Sequence, residues 1–194
     1  KLILDWHKVN HNRKVVIIRP AVVFGEFNFG NVYNLIQQIK TGFFAIIGDG
    51  KNIKSIAYAK NIVDSVIFCL ENINEKLFIY NYCDYPQMSI ESQSNLISNS
   101  LSKNKPFKIP LIFTKLFTLP IDILEKIIGV DLKINSMRVK KFTTSTFFIS
   151  DKLRELGFVQ RFSIEEAINN TNEWICSVNI SDLRNKWFKN ASKL

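Results

Sequence analysis

The chain has 194 residues, enough material for one domain with a sizeable core or for a large piece of one. Its 46% hydrophobic and 22% charged residues exclude a disordered chain, and a net charge of +9 admits an anionic partner: a nucleic acid, an acidic membrane surface or a phosphorylated metabolite. The basic residues are scattered, with no run longer than Lys140-Lys141 and no RNP-type or zinc-finger pattern, so the expectation is no nucleic-acid partner.

In chain order, Leu2, Trp6 and Val9 have helical spacing, but no start signal precedes them. The expectation is a chain that opens in mid-helix, a piece of a longer protein. His7 and His11 stand four apart, as zinc ligands do, but no carboxylate or cysteine completes a set, and they read as two solvated histidines with no metal. Val15–Ile18 reads as a strand that stops at Arg19-Pro20, because proline cannot donate to a sheet ladder. The loop from Pro20 to Gly30 then lies beyond a strand's carboxyl end, where open parallel sheets hold ligands. Gly25 and Gly30 either admit a close backbone approach or are plain turn residues. Asn31 reads as the cap of a helix over 32–40, with Val32, Leu35, Ile36 and Ile39 on one face. Its amino terminus either favours a phosphate or is simply capped.

Phe43–Ile47 is a short apolar run closed by Gly48-Asp49-Gly50, and Lys54 follows on a segment that turns apolar at Ile56-Ala57. A helix is expected to begin at Asn61 or Asp64 and to face inward with Val63, Val66, Ile67 and Leu70. Leu77–Tyr82 reads as a buried strand, and Ser89 as the cap of a helix that ends by Lys103–Pro106. The stretch 109–130 is the most apolar. Pro110, Lys115, Pro120, Asp122, Glu125 and Lys126 interrupt it too often for a membrane span, leaving two short amphipathic helices that cover the core or lie on a membrane surface. Phe142–Ile149 reads as extended, Ser150-Asp151 starts a short helix that Gly157 ends, and Ser163–Glu166 has the capping-box form before a final helix. Cys69, Cys83 and Cys176, odd in number and without a CxxC, read as small core residues of a reducing compartment. No secretory leader is recognisable, so the expected location is the cytoplasm, including the inner face of the membrane.

Four features in order carry a resemblance: strand-Arg19-Pro20 followed by Phe24-Gly25; Gly30-Asn31-Val32 before a helix; Gly48-Asp49-Gly50-Lys51-Asn52 with basic Lys54; and the Tyr58-x-x-Asn61 helix start. Together with the closing Arg154-Glu155-Leu156-Gly157-Phe158 and Ser163–Ala167, they resemble the extended short-chain dehydrogenase/reductase family, in its NAD-dependent nucleotide-sugar epimerase and dehydratase branch. The resemblance implies an α/β fold, the C-terminal portion of a Rossmann-like protein with a small mixed α/β substrate-binding region. It divides the chain into 1–30 (end of the cofactor domain), 31–178 (mainly substrate-binding) and a 179–194 tail.

The family's Gly-x-x-Gly-x-x-Gly phosphate loop and Tyr-x-x-x-Lys pair are both absent. Tyr33, Tyr58, Tyr80, Tyr82 and Tyr85 are followed four residues on by Gln37, Ile62, Asp84, Pro86 and Ser89. No catalytic residue is therefore assigned. By resemblance, Pro20, Ala21, Val22 and Val23 face the nicotinamide of NAD, which is bound mainly by a part this chain lacks. Asn31 and Val32 meet a diphosphate, Ala45 and Ile47 border the base, and Lys54 stands where relatives have an arginine. A lysine keeps the charge there but loses the bidentate fork. Arg138, Lys140 and Lys141 fall where a second phosphate-binding cation is expected.

The implied function is a nucleotide-sugar or lipid-diphosphate-sugar epimerase or dehydratase of surface polysaccharide synthesis, acting on a nucleotide-diphosphate sugar. Homodimerisation of the full-length protein and peripheral membrane contact through 109–130 come with it. The alternatives are a nucleotide-sugar reductase, a steroid-type dehydrogenase, or an inactive truncated module that binds the sugar nucleotide without chemistry.

Overall fold

In a computed structural model, residues 2–114 and 136–178 are described. The expected tail at 179–194, and all of the 109–130 stretch beyond residue 114, lie outside the described residues. Helix α1 (Leu2–Val9) leads through a turn to strand β1 (Val15–Pro20), which runs directly into β2 (Val22–Phe24). There follow α2 (Asn31–Lys40), β3 (Ile46–Ile47), β4 (Ile56–Tyr58), α3 (Ala59–Asn72) and β5 (Leu77–Tyr82). The order then continues through α4 (Ile90–Ser100), β6 (Lys108–Ile109), α5 (Ser136–Thr143), α6 (Lys152–Glu155) and α7 (Ile164–Ser177).

Among the described residues the strand pairs are parallel: β1 with β5, β2 with β4, and β3 with β6. The first keeps register from Val15↔Leu77 to Pro20↔Tyr82, so Pro20 is the last paired residue rather than lying beyond the strand. Ala21 still donates its N–H to the Tyr82 carbonyl at 2.8 Å, and one residue later Val22 pairs with Ile56. The chain therefore changes neighbours at Ala21, leaving β5 for β4.

Two cores result. One gathers Phe24, Ile36, Ile46, Tyr58, Ile97 and Ile168 from α2, α4 and α7 around β2–β4. The other gathers Cys69, Phe78, Tyr80, Leu153 and Phe158 around β5. The sequence patterns hold where apolar spacing and burial agree. In α2, Val32, Ile36 and Ile39 are buried, and in α7, Ile164, Ala167, Ile168, Thr171 and Ile175 are. Ser89 caps α4 by accepting from the Ser92 N–H, and Ser163 and Glu166 form the expected capping box.

Other expectations fail for identifiable reasons. Helix α3 begins at Ala59, and its buried residues are Asn61, Ser65 and Cys69, while Val63, Ile67 and Leu70 are 56%, 46% and 60% exposed. Hydrogen bonds turn the helix this way: Asn61 Nδ2 donates to Asp84 and to the Phe162 carbonyl, and Ser65 Oγ pairs with the Tyr80 hydroxyl at 3.0 Å. His7 is buried and stands edge-on to His11, so it is not solvated. Cys69 and Cys83 are core residues, but Cys176 is exposed. Only Ile46–Ile47 of the 43–47 run form a strand, and Phe43 is exposed. Phe142 and Thr143 are helical in α5, and the extended expectation keeps only the Lys54↔Thr146 bridge.

Candidate functional site

The residues that the sequence singles out lie on several elements. Pro20 is exposed and Ala21, Val22 and Val23 are half-buried at the step from β1 to β2, where Ala21 packs against the core around β5 and Val22 against the core around β2–β4. The start of α2 lies near Val23, whose carbonyl oxygen is 4.0 Å from where a Cβ at Gly30 would stand. The helix cap is Gly30, not Asn31, and no side chain accepts from its first turn. The Asn28 carboxamide instead accepts from Gly30 N–H at 2.8 Å, which finishes the preceding turn early and leaves Asn31 as the exposed first helical residue. The opening turn of α2 holds no acidic residue, so its unpaired N–H groups and positive dipole end remain suited to an anion. Val32 is buried in the core and could meet a ligand only through its backbone.

Lys54 lies two residues ahead of Ile56, the register partner of Val22. Its ammonium donates to the carbonyls of Lys141 (2.9 Å) and Thr144 (2.6 Å) and to Thr146 Oγ1 (3.3 Å). Those contacts hold the end of α5 against the 52–55 segment, helped by Asn52 Nδ2 to the Phe142 carbonyl and by Thr146 N–H to the Ile53 carbonyl. Burial pushes the Lys54 pKa below its ordinary value. Lys54 is thus brought together with the α5 segment that carries Arg138, Lys140 and Lys141, and the last two are exposed. A phosphate at Lys54 would have to exchange for at least one of the carbonyls that it now holds.

Ala45 and Ile47 are half-buried on and beside β3, in the apolar run that leads to the turn at Gly48-Asp49-Gly50. Gly50, at φ +72°, fixes that turn: a Cβ there would come within 2.8 Å of Ile46 and 3.0 Å of Glu91.

Two polar networks were not legible in the sequence. Asp84 is buried, accepting from Tyr58 N–H (2.7 Å), Asn61 Nδ2 (3.0 Å) and the Tyr82 hydroxyl (3.1 Å). Desolvation raises its pKa to about 6 against these bonds. Second, Glu26 accepts from the Tyr58 hydroxyl at 3.0 Å and from Lys60 Nζ at 2.5 Å, and Asn170 Nδ2 donates to the same hydroxyl at 3.5 Å. Burial alone would raise the Glu26 pKa, but the hydrogen bonds from Lys60 and Tyr58 outweigh it and hold the carboxylate below its usual range. This network walls an open groove of about 760 Å³ with Phe27 and Trp174. Both networks join residues far apart in sequence, a relation that spacing does not carry. Among the described residues no cluster of three His, Cys, Asp or Glu could hold a metal, and no helix is long and apolar enough to cross a membrane.

No protein-family model matches the chain. It is 37% identical over 173 residues to the N-acetyl-α-D-glucosaminyl-diphospho-ditrans,octacis-undecaprenol 4-epimerase of Escherichia coli O157:H7, covering 88% of this chain and 52% of that protein. The chain therefore spans about half the length of the curated relative it matches. Among solved structures, the UDP-glucuronic acid 4-epimerase of Bacillus cereus in complex with NAD superposes with a TM-score of 0.62 at 16% identity, over 91% of this chain and 49% of that one. A nucleoside-diphosphate-sugar epimerase of Pseudomonas aeruginosa gives 0.61 at 17% identity, over 91% and 54%. The chain thus shares the fold of these epimerases and is similar in sequence to about half of the Escherichia coli 4-epimerase, in keeping with the family resemblance of its ordered motifs.

Proposed function

We propose that this chain supplies the substrate-binding side of an NAD-dependent epimerase acting on a sugar linked through diphosphate to a polyprenol. The observation that carries this reading is the bonding of the Lys54 ammonium to the Lys141 and Thr144 carbonyls, which brings Lys54 to the segment bearing Lys140 and Lys141, while the start of α2 is left without a side-chain cap. Cationic side chains and a free helix amino terminus are groups that suit a diphosphate with a sugar attached. Sugar nucleotides and lipid-diphosphate sugars share that chemistry. The 37% identical relative, named for an undecaprenol-linked substrate, favours the lipid form.

NAD, when bound, would accept a hydride from the sugar and return it, and so is not consumed. Pro20, Ala21, Val22 and Val23, at the step from β1 to β2, are the residues that would border the nicotinamide. The chain contains no Gly-x-x-Gly-x-x-Gly loop for the dinucleotide's phosphates, and no tyrosine followed four residues on by lysine. The reading therefore expects no turnover from the 194 residues by themselves. A second reading, a module that binds the diphosphate sugar without chemistry, draws on the same missing pair.

The test is equilibrium binding of a short-prenyl diphospho-N-acetylglucosamine and of UDP-N-acetylglucosamine to the chain. The prenyl compound should bind more tightly, and Lys54→Ala should weaken it about tenfold or more. Equal binding by the Lys54→Ala chain would remove the reading. Epimerisation by the 194 residues in the presence of NAD would contradict its assignment of the chemistry to groups beyond them. In a longer form with activity, net consumption of NAD(H) would point instead to a reductase or dehydrogenase.

A further inference from the structure

Beside β3 and β6, apolar side chains that would normally be covered point to solvent: Phe43 is 89% exposed, Phe107 64%, Ile112 73% and Phe113 52%. They form one rim. Ile46 N–H donates to the Phe107 carbonyl and Gly48 N–H to the Ile109 carbonyl, and the Leu111 side chain lies against Gly48. Phe107 and Gly42, the neighbour of Phe43, line the same cleft, with Lys103 and Lys105 at its mouth. From Asn99 to Thr114 the sequence holds three lysines and no acid. Lys108 is engaged by Glu91 at 2.7 Å, while Lys103 and Lys105 are exposed. The nearby Asp49 accepts from Lys51 N–H within its own turn. Large exposed aromatics bordered by unpaired lysines are the composition of a surface that enters the headgroup layer of an anionic bilayer.

We propose that this rim is a membrane-docking surface: Phe43, Phe107, Ile112 and Phe113 enter the interface of an anionic phospholipid bilayer, and Lys103 and Lys105 meet its headgroups. The charge argues against a second copy of this basic chain, which would bring no excess of negative charge to the lysines, and the aromatic rim beside them suits the headgroup layer of an anionic bilayer. The inference deepens the proposed function, since β3 carries Ile47 beside the same rim and a polyprenol held there would keep its tail in the bilayer.

Co-sedimentation of the chain with phosphatidylcholine vesicles, with and without about a quarter phosphatidylglycerol, tests it without any sugar substrate. Binding to the anionic vesicles should exceed binding to neutral ones several-fold and fall with salt. The double variant Phe107→Ser/Ile112→Ser should lose about tenfold on both vesicle types, and Lys103→Glu/Lys105→Glu should lose the anionic preference. All four residues are exposed, so each variant should keep the parent melting temperature, and Phe43→Ser gives an independent reading of the same rim. Absence of vesicle binding, binding that neither variant changes, or self-association that Phe107→Ser abolishes would overturn the proposal. Failure here with short-prenyl diphosphosugar binding intact would remove only the docking surface. The reverse pattern would remove the proposed function and leave the surface.

Discussion

The α2–α4–α7 side of the molecule and the α1–β1–α3 side differ in how completely they are closed. On the first, Phe24, Ile36, Ile46, Ile97 and Ile168 are each nearly inaccessible, and both long helices have side-chain caps. On the second, Leu2, Trp6 and Val9 of α1 and Val63, Ile67 and Leu70 of α3 face solvent, and His7 Nδ1 is buried without a partner. Parallel strands are ordinarily covered on both faces, yet β1 leaves Val16, Ile17 and Ile18 only half-buried. The closed side has a dense interior; the open side leaves an apolar face exposed. The same contrast separates what this chain is proposed to do, holding a diphosphate sugar, from what it leaves to other groups.

The comparison breaks first at its densest point. Phe24→Ala should cost about 3–5 kcal/mol in urea unfolding, because the ring fills the junction of β2, α2 and α7. Asn61→Ala should cost about 2–4 kcal/mol by the same measurement. It leaves the Phe162 N–H, which now donates to Asn61 Oδ1 at 3.0 Å, without that partner, and takes from Asp84 Oδ1 one of its two donors, leaving the Tyr82 hydroxyl.

Asp84 gives a pH signature. Its folded-state pKa lies above the unfolded value of 3.8, at about 6, so the folded protein holds a proton that the unfolded chain releases. The stability it contributes is complete below the unfolded value and lost as pH rises through about 6, a change of at most about 3 kcal/mol. Asp84→Asn should flatten that part of the stability profile relative to the parent protein. A parent profile that rises over the same window while the variant's stays flat would reverse the assigned sign.

At the other extreme, Ile67→Ser on the open face should shift stability by no more than about 0.5 kcal/mol, despite lying on the most regular apolar stripe of α3. A cost near that of Phe24→Ala would show the open face to be core after all.

The sequence predicted the elements whose patterning is local. The i, i+3, i+4, i+7 faces of α2 and α7, the Ser89 cap, the Ser163–Glu166 box and the αL stop at Gly157 depend on neighbours within a few residues. It misjudged α3 because hydrophobic spacing there predicts one face, whereas Asn61 and Ser65 choose the opposite one through bonds to Asp84, Phe162 and Tyr80. It placed the cap one residue late at α2, because the competing Asn28–Gly30 bond belongs to the preceding turn. In the candidate site, the sequence marks Pro20–Val23, Asn31 and Lys54, and the register of β2 with β4 sets Val22 beside Ile56, two residues beyond Lys54. That Lys54 spends its three protons on the 141–146 segment could not be read in advance, since it depends on a contact across about ninety residues.

The most direct test is to titrate the isotopically labelled chain with short-prenyl diphospho-N-acetylglucosamine and follow its backbone amides by NMR. The account predicts shifts at Asn31, Val32, Lys54 and the 141–146 segment, with the α1 and α3 amides unmoved. Shifts confined to the groove between Glu26 and Trp174, or none at all at saturating ligand, would contradict it.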